Sequence, residues 1–290
     1  MKVLVTGSAG RIGRQIVAAL RAAGREVRTL DRRAMPEPDH WPASVLDAME
    51  VRRAVQGCEA VVHLAAIPND RAGREEEVFR TNVLGTWNVL QAASEAGVGR
   101  VVFFSSIQAI GLTGTERKPE YLPLDDAHPR RSLRPYSLSK GVGEDTCRYF
   151  SDSSGITTIC LRPTLVADAE MYPHWLPDSD ASARYRRWGA SDFWSYVDIA
   201  DVVDATLLAL EAEGIQHGRY LLAASDTYSL TPTTDLLAEY FPDVPLHLPE
   251  EALAADPYHG LIDTSAAEQA LGWRPKRSWR DVVGNAGQPA

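Results

Sequence analysis

Short apolar runs alternate along the first part of the chain with stretches whose apolar residues recur every three or four positions. "KVLVTG" (2–7) predicts a strand, and residues 12–23 predict a helix ended by Gly24. "EVRTLD" (26–31) is a second strand. A proline-rich loop leads to a helix over 47–55, and "EAVVHLAA" (59–66) is a third strand. The helical period then runs over 75–96, followed by "RVVFFSS" (100–106), a long helix over 135–155 and the strand "ITTICLRPT" (156–164). Strand–helix–strand repeated in this way demands right-handed crossovers, and hence a parallel sheet covered on both faces.

Beyond residue 165 the pattern loosens. Prolines and aromatics cluster between Met171 and Trp194, then "SYVDIADVVDATLLALEA" (195–212) restores a short strand and a helix, and "GRYLLAAS" (218–225) reads as a strand. The expected organisation is a nucleotide-binding domain over 1–164 and a smaller substrate lobe over 165–290, with segments such as 195–212 returning to pack on the first domain.

The stretch "TGSAGRIG" (6–13) joins the first strand to the first helix. Gly7 permits a tight turn, Gly10 admits a pyrophosphate to the backbone N–H groups, and Gly13 lets the helix pack close to the strand. In this strand–turn–helix context the motif predicts a Rossmann-type, doubly wound α/β fold binding a dinucleotide. The second strand ends at Asp31, 18 residues after Gly13. A carboxylate there accepts from the adenosine ribose hydroxyls and repels a 2′-phosphate, which favours NAD. Arg32 and Arg33 follow directly and keep NADP as the less favoured alternative.

Tyr136 and Lys140 stand four residues apart on one helix, downstream of a strand tipped by Ser105-Ser106. A cation beside the phenol is expected to lower its pKa towards working pH, so that Tyr136 exchanges a proton with a substrate hydroxyl. A serine at the strand tip would hydrogen-bond the same oxygen.

Taken together, TGSAGRIG, HLAA (63–66), TNVLGTWNVLQAA (81–93), YSLSK (136–140), LRPT (161–164), YVDIADV (196–202) and LGWRP (271–275) resemble the extended short-chain dehydrogenase/reductase superfamily, in its NAD-dependent epimerase/dehydratase group. The resemblance implies catalytic Ser106, Tyr136 and Lys140. It implies that Gly7, Ala9, Gly10, Arg11, Ile12 and Gly13 line the cofactor turn, with Asp31 and Arg32 at the adenosine ribose. Ser44 and Val45 fall at the adenine, where Ser44 replaces the family's usual Asp. Leu64, Ala65, Ala66 and Asn82 fall along the cofactor, and Pro163 near the nicotinamide. Ile67, Ser106, Ile107, Gln108 and Arg187 are candidate substrate contacts. Ile107-Gln108 stands where relatives that oxidise uronic acids often carry Asn-His, which sets this chain apart from them.

The resemblance implies an NAD-dependent oxidoreductase or epimerase acting on a secondary hydroxyl of a sugar, sugar acid or sugar nucleotide. The alternative is a non-catalytic NAD(P)-sensing regulator on the same fold. It also implies a homodimer through the helices of 75–96 and 135–151, with Val83, Trp87 and Leu90 on the first and Val142, Thr146 and Tyr149 on the second as outward positions.

Composition narrows the partners. A formal net charge of −9 without a basic stripe argues against nucleic acid. No apolar run approaches the roughly 20 residues of a membrane span. Three cysteines with no CxxC, and no leader-like start, lead to the expectation of reduced thiols in a cytoplasmic protein. The seven histidines lack metal-ligand spacing, so no metal is expected. His63 is read as structural, Asp198 and Asp201 as helix caps, and Trp175, Trp188 and Trp194 as core or lid packing.

Overall fold

A computed structural model describes residues 1–70, 72–112, 118–176 and 188–284. Seven strands form one sheet: β1 (Lys2–Thr6), β2 (Glu26–Asp31), β3 (His40–Pro42), β4 (Ala60–His63), β5 (Arg100–Phe104), β6 (Thr157–Pro163) and β9 (His217–Leu222). Their order is β3-β2-β1-β4-β5-β6-β9, and the pairings from β3 across to β6 are parallel. The chain winds outward from β1 to one edge, then returns and winds to the other. The crevice where the order reverses lies between β1 and β4, at the carboxyl ends of the strands.

Helices α1 (Arg11–Ala22), α2 (Ala48–Val55), α3 (Glu75–Phe79), α4 (Gly85–Glu95) and α5 (Pro135–Ser154) cover the sheet. On one face Leu4, Leu30, Val61, Val101 and Phe103 of the strands meet Val51, Val89, Leu90 and Phe150 of the helices, all nearly free of solvent. Burying each such side chain contributes about 1.5–3 kcal/mol over leaving it exposed.

The structure departs from the sequence pattern in three places. The proline-rich loop contains β3, an edge strand that ends on Pro42, where a missing N–H costs no ladder bond. The helix expected over 75–96 is broken by a π-helical stretch, Arg80–Leu84, between α3 and α4. Leu90, expected on the outer face of this helix, is fully buried in the core; the exposed large apolar side chains are Phe79, Leu84 and Trp87 on this segment and Leu138 and Tyr149 on α5.

The chain divides into two compact units. The first comprises 1–111, 132–162 and 203–220; the second comprises 112–131, 163–202 and 221–290. The division is therefore not a single cut after residue 164. Residues 112–131 leave the first half of the chain to join the second unit, and 203–220 return to the first. The second unit holds the parallel pair β7 (Leu165–Ala167) and β8 (Tyr196–Asp198). It also buries an aromatic cluster in which Trp175 stacks on Tyr228 at 5.0 Å and meets Trp279 edge-on at 5.4 Å. Trp175 and Trp194 are core residues, whereas Trp188 is 38% exposed. Asp198 caps the helix that follows β8 by accepting from Ala200 N–H at 2.7 Å. Asp201 instead accepts from the N–H groups of Lys276 and Arg277, both at 3.1 Å, and so ties down the C-terminal segment.

Candidate active site

The first unit carries the dinucleotide turn. Gly7 sits at φ +70°, in the left-handed region, and a Cβ on it would lie 2.7 Å from Ala65 N. A Cβ on Gly13 would lie 2.4 Å from the Gly7 carbonyl oxygen. Both sites accept only glycine if α1 is to start where it does. Gly10 closes the turn by donating to Gly7 O at 3.0 Å. No side chain caps the start of α1, and its first turn carries no carboxylate. The positive end of the helix is thus left for an anionic group, and the turn fits a pyrophosphate.

Asp31 ends β2 beside this turn. Its Oδ2 accepts from Ala9 N–H at 3.1 Å and its Oδ1 from Arg33 N–H at 3.0 Å. Arg33 Nε lies 3.3 Å from the same carboxylate, while Arg32 is exposed. The carboxylate therefore engages the neighbouring guanidinium that was the rival reader of a 2′-phosphate. Ser44 is exposed and its Oγ accepts from Leu46 N–H at 3.2 Å. Val45 is a core residue whose carbonyl accepts from Asn88 Nδ2 at 2.9 Å.

The floor of the crevice is set by a one-way chain of hydrogen bonds. Ala65 N–H donates to Thr6 Oγ at 3.2 Å, and Thr86 Oγ donates to Asn82 O at 2.6 Å. His63 bridges the two threonines, with Nδ1 2.7 Å from Thr6 Oγ and Nε2 3.1 Å from Thr86 Oγ. Because each threonine hydroxyl has one proton, Nδ1 accepts and Nε2–H donates. Burial pushes the His63 pKa down to about 3, so the ring is neutral, as this assignment requires.

Asn82, expected against the cofactor, lies in the π-helical stretch. Its Oδ1 accepts from Ile67 N–H at 2.8 Å, and its Nδ2 donates to Ile67 O and Ser139 Oγ, both at 3.0 Å. Both amide protons are engaged within the protein, so Asn82 shapes the crevice by clamping the loop at Ile67 to α5.

Ser106, Tyr136 and Lys140 meet at the tip of β5. Ser106 Oγ accepts from Gln108 N–H at 3.1 Å, starting the 3₁₀ turn Ile107–Ile110. Its own proton is left for the Tyr136 phenol, whose ionised form the Ser106 hydroxyl favours. Lys140 Nζ donates to Phe104 O at 2.6 Å and stands 5.7 Å from the centre of the Tyr136 ring. The expected fall in the Tyr136 pKa is not what this site produces. Burial raises it to about 12, and the Ser106 hydroxyl is the group opposing that rise. Burial also lowers Lys140 to about 8, with Glu144 working against the fall.

Gln108 lies beside this group, its carbonyl accepting from Ser137 Oγ at 2.6 Å, and Ile107 is 7% exposed. Pro163, the last residue of β6, belongs to the second unit. Arg187 lies outside the described residues. Three polar residues at the site escaped the sequence reading: Asp70, Glu144 and Arg162. Glu144 had a visible signal, since it continues the four-residue spacing of Tyr136 and Lys140 along one helix face. Among the described residues no cluster of His, Cys, Asp or Glu is arranged to hold a metal ion, and no helix is long and apolar enough to cross a membrane.

The sequence profile of the NAD dependent epimerase/dehydratase family matches residues 3–223. Over 99% of the chain it is 26% identical to UDP-glucose 4-epimerase of Corynebacterium glutamicum, spanning 94% of that protein. It is 32% identical to L-arabinose 1-dehydrogenase (NAD(P)(+)) of Haloferax volcanii over 64% of this chain and 75% of the relative. It is 31% identical to sterol demethylase protein B of Methylococcus capsulatus over 77% of this chain and 69% of the relative. Among solved structures, a short-chain dehydrogenase/reductase superfamily protein of Agrobacterium tumefaciens with bound NAD superposes with a TM-score of 0.76 at 27% identity, covering 99% of this chain and 96% of that one.

Proposed function

The chain belongs to the NAD dependent epimerase/dehydratase family, and from that membership we propose that this NAD-dependent enzyme acts on a secondary hydroxyl of a sugar, sugar acid or sugar nucleotide. The observation that carries the reading is the place of Lys140, whose Nζ donates to Phe104 O at 2.6 Å and stands 5.7 Å from the centre of the Tyr136 ring, in the same unit as Ser106, the glycine turn and Asp31. The carbohydrate class is supported by the names of two relatives, the epimerase and the arabinose dehydrogenase.

NAD, when bound, takes a hydride from the substrate carbon or returns one. The glycine turn holds its pyrophosphate and Asp31 its adenosine ribose. Tyr136 handles the proton on the substrate oxygen. A pKa near 12 makes its resting form the phenol, the acid needed when a carbonyl is reduced. In the oxidising direction the phenolate is the base. Two groups stabilise it: the Ser106 hydroxyl on its oxygen and the Lys140 ammonium beside its ring.

The test is NADH formation across a panel of aldoses, uronic acids and sugar nucleotides, with NMR of the sugar to detect inversion without net NADH. Turnover of a member of the panel by wild type, lost in Lys140→Met, supports the reading. Turnover confined to non-carbohydrate alcohols would remove the substrate class, and full activity in Lys140→Met would remove the site.

A further inference from the structure

The face of α5 that carries Tyr136 and Lys140 continues for one more turn to Glu144, and each of the three side chains meets a different residue at the tip of β5. Tyr136 meets Ser106 and Lys140 meets the Phe104 carbonyl. The residue between them, Ser105, donates to Glu144 Oε1 at 2.6 Å. The Glu144 carboxylate is then gripped by Arg162 of β6, Nε to Oε1 at 2.8 Å and Nη2 to Oε2 at 2.7 Å. The Arg162 and Glu144 side chains are 1% and 0% exposed.

A buried ion pair is a weak source of stability, because desolvating two charges consumes most of their attraction. A pair kept in the core directly beneath the proton-handling residues therefore calls for another explanation. We propose that Glu144 is a positioning residue for this reaction: its carboxylate holds Lys140 as an ammonium and, through Ser105 and Arg162, sets the register of α5 on the tip of β5. The proposal rests on the reading of Tyr136 and Lys140 given above.

The groups around Lys140 leave this task to Glu144. From α5 it faces Tyr136 and Cys147 besides Glu144. From β4 it faces His63, a neutral ring. From β5 it faces the Phe103 ring at 5.2 Å and the Phe104 carbonyl. Cys160 and Arg162 of β6 face Glu144. Among these groups Glu144 is the one carboxylate, and its attraction is the foremost influence opposing the desolvation of Lys140.

The chain has four lysines, Lys2, Lys118, Lys140 and Lys276, so ε-¹³C-lysine NMR resolves Lys140 without any substrate, with Lys140→Met assigning its signal. In wild type, Lys140 should titrate well below the other three. In Glu144→Gln its midpoint should fall by about one pH unit. Glu144→Gln/Arg162→Met removes the orphaned guanidinium along with the carboxylate, so it tolerates the loss of the pair; there the midpoint should remain below wild type. A Lys140 midpoint within about 0.3 of wild type in Glu144→Gln, or one restored in the double variant, overturns the proposal. Activity separates the two levels. Lys140→Met as active as wild type brings down the site and this proposal together, whereas an inactive Lys140→Met beside an unshifted Glu144→Gln titration brings down this proposal alone.

Discussion

The carboxylate of Asp70 accepts the backbone N–H of Tyr136 at 2.7 Å. Helix α5 begins at Pro135, and Arg134 before it provides no side-chain cap. A loop residue 66 positions earlier thus satisfies the open end of the helix at the very residue proposed to handle the proton. Asp70 also raises the Tyr136 pKa through its charge. Asp70→Ala is expected to lower stability by about 0.5–2 kcal/mol, the usual loss for a helix cap. Asp70→Asn keeps an acceptor, so denaturant unfolding should show a smaller loss, and its oxidation rate should rise at lower pH than in wild type. Equal stability of Asp70→Ala and wild type would remove the capping role.

Tyr136→Phe removes the group proposed to exchange a proton with the substrate and leaves the glycine turn and Asp31 untouched. Turnover should fall by about 10²–10⁴-fold, the usual contribution of a general acid or base. NAD affinity, measured by calorimetry, should stay within a few-fold of wild type. A variant retaining more than a tenth of wild-type kcat contradicts the assignment.

Cofactor choice is expected to turn on the Asp31–Arg33 pair. With Asp31 present, its carboxylate both engages Arg33 and repels a 2′-phosphate, so kcat/KM should favour NAD. Asp31→Ala removes a charged acceptor worth about 1.5–3 kcal/mol and frees Arg33, so the NAD-to-NADP ratio should drop about tenfold or more. A ratio unchanged in the variant would assign the discrimination elsewhere.

His63 gives the folded chain an acid sensitivity. The unfolded chain binds a proton there near pH 6.5, but the folded chain resists until about pH 3, because burial disfavours the charged ring. The unfolded state therefore carries the extra proton within this window, and stability declines as pH drops through it, by up to about 1.4 kcal/mol per pH unit. His63→Gln should be less stable than wild type at pH 7 and lose this part of the slope. Urea unfolding at several pH values measures both, and an unchanged slope would show that His63 protonates without resistance.

Leu84, Trp87, Leu138 and Tyr149 form the exposed apolar residues of the π-helical stretch, α4 and α5, and Trp87 stacks on Tyr149 with ring centres 5.8 Å apart. Apolar surface of this kind is expected to be covered by the same face of a second copy about a two-fold axis. Sedimentation at micromolar concentration should give a dimer, and Trp87→Glu/Tyr149→Glu a folded monomer. A monomeric wild type rejects the arrangement.

Much of the molecule was legible before any coordinate. The apolar periods mark the strands and helices of the sheet because burial on both faces of a parallel sheet imposes them locally, strand by strand. Gly7 and Gly13 were legible for a similar reason: no other residue tolerates a left-handed turn or so close a helix start, so the backbone requirement is written in the residue type. The Tyr136–Lys140 spacing is likewise a local property of one helix. Tertiary structure decided what depends on residues distant in sequence. Leu90 faces the core because α4 packs against α2 and α5 as well as the sheet, which the period of one segment cannot reveal. Asp70 caps α5 and Arg162 grips Glu144 because crossover connections bring separate segments to one strand tip. The Tyr136 pKa goes up rather than down because burial outweighs the Ser106 hydroxyl that opposes it, and the degree of burial is set by the packed fold and not by the order of residues along one helix.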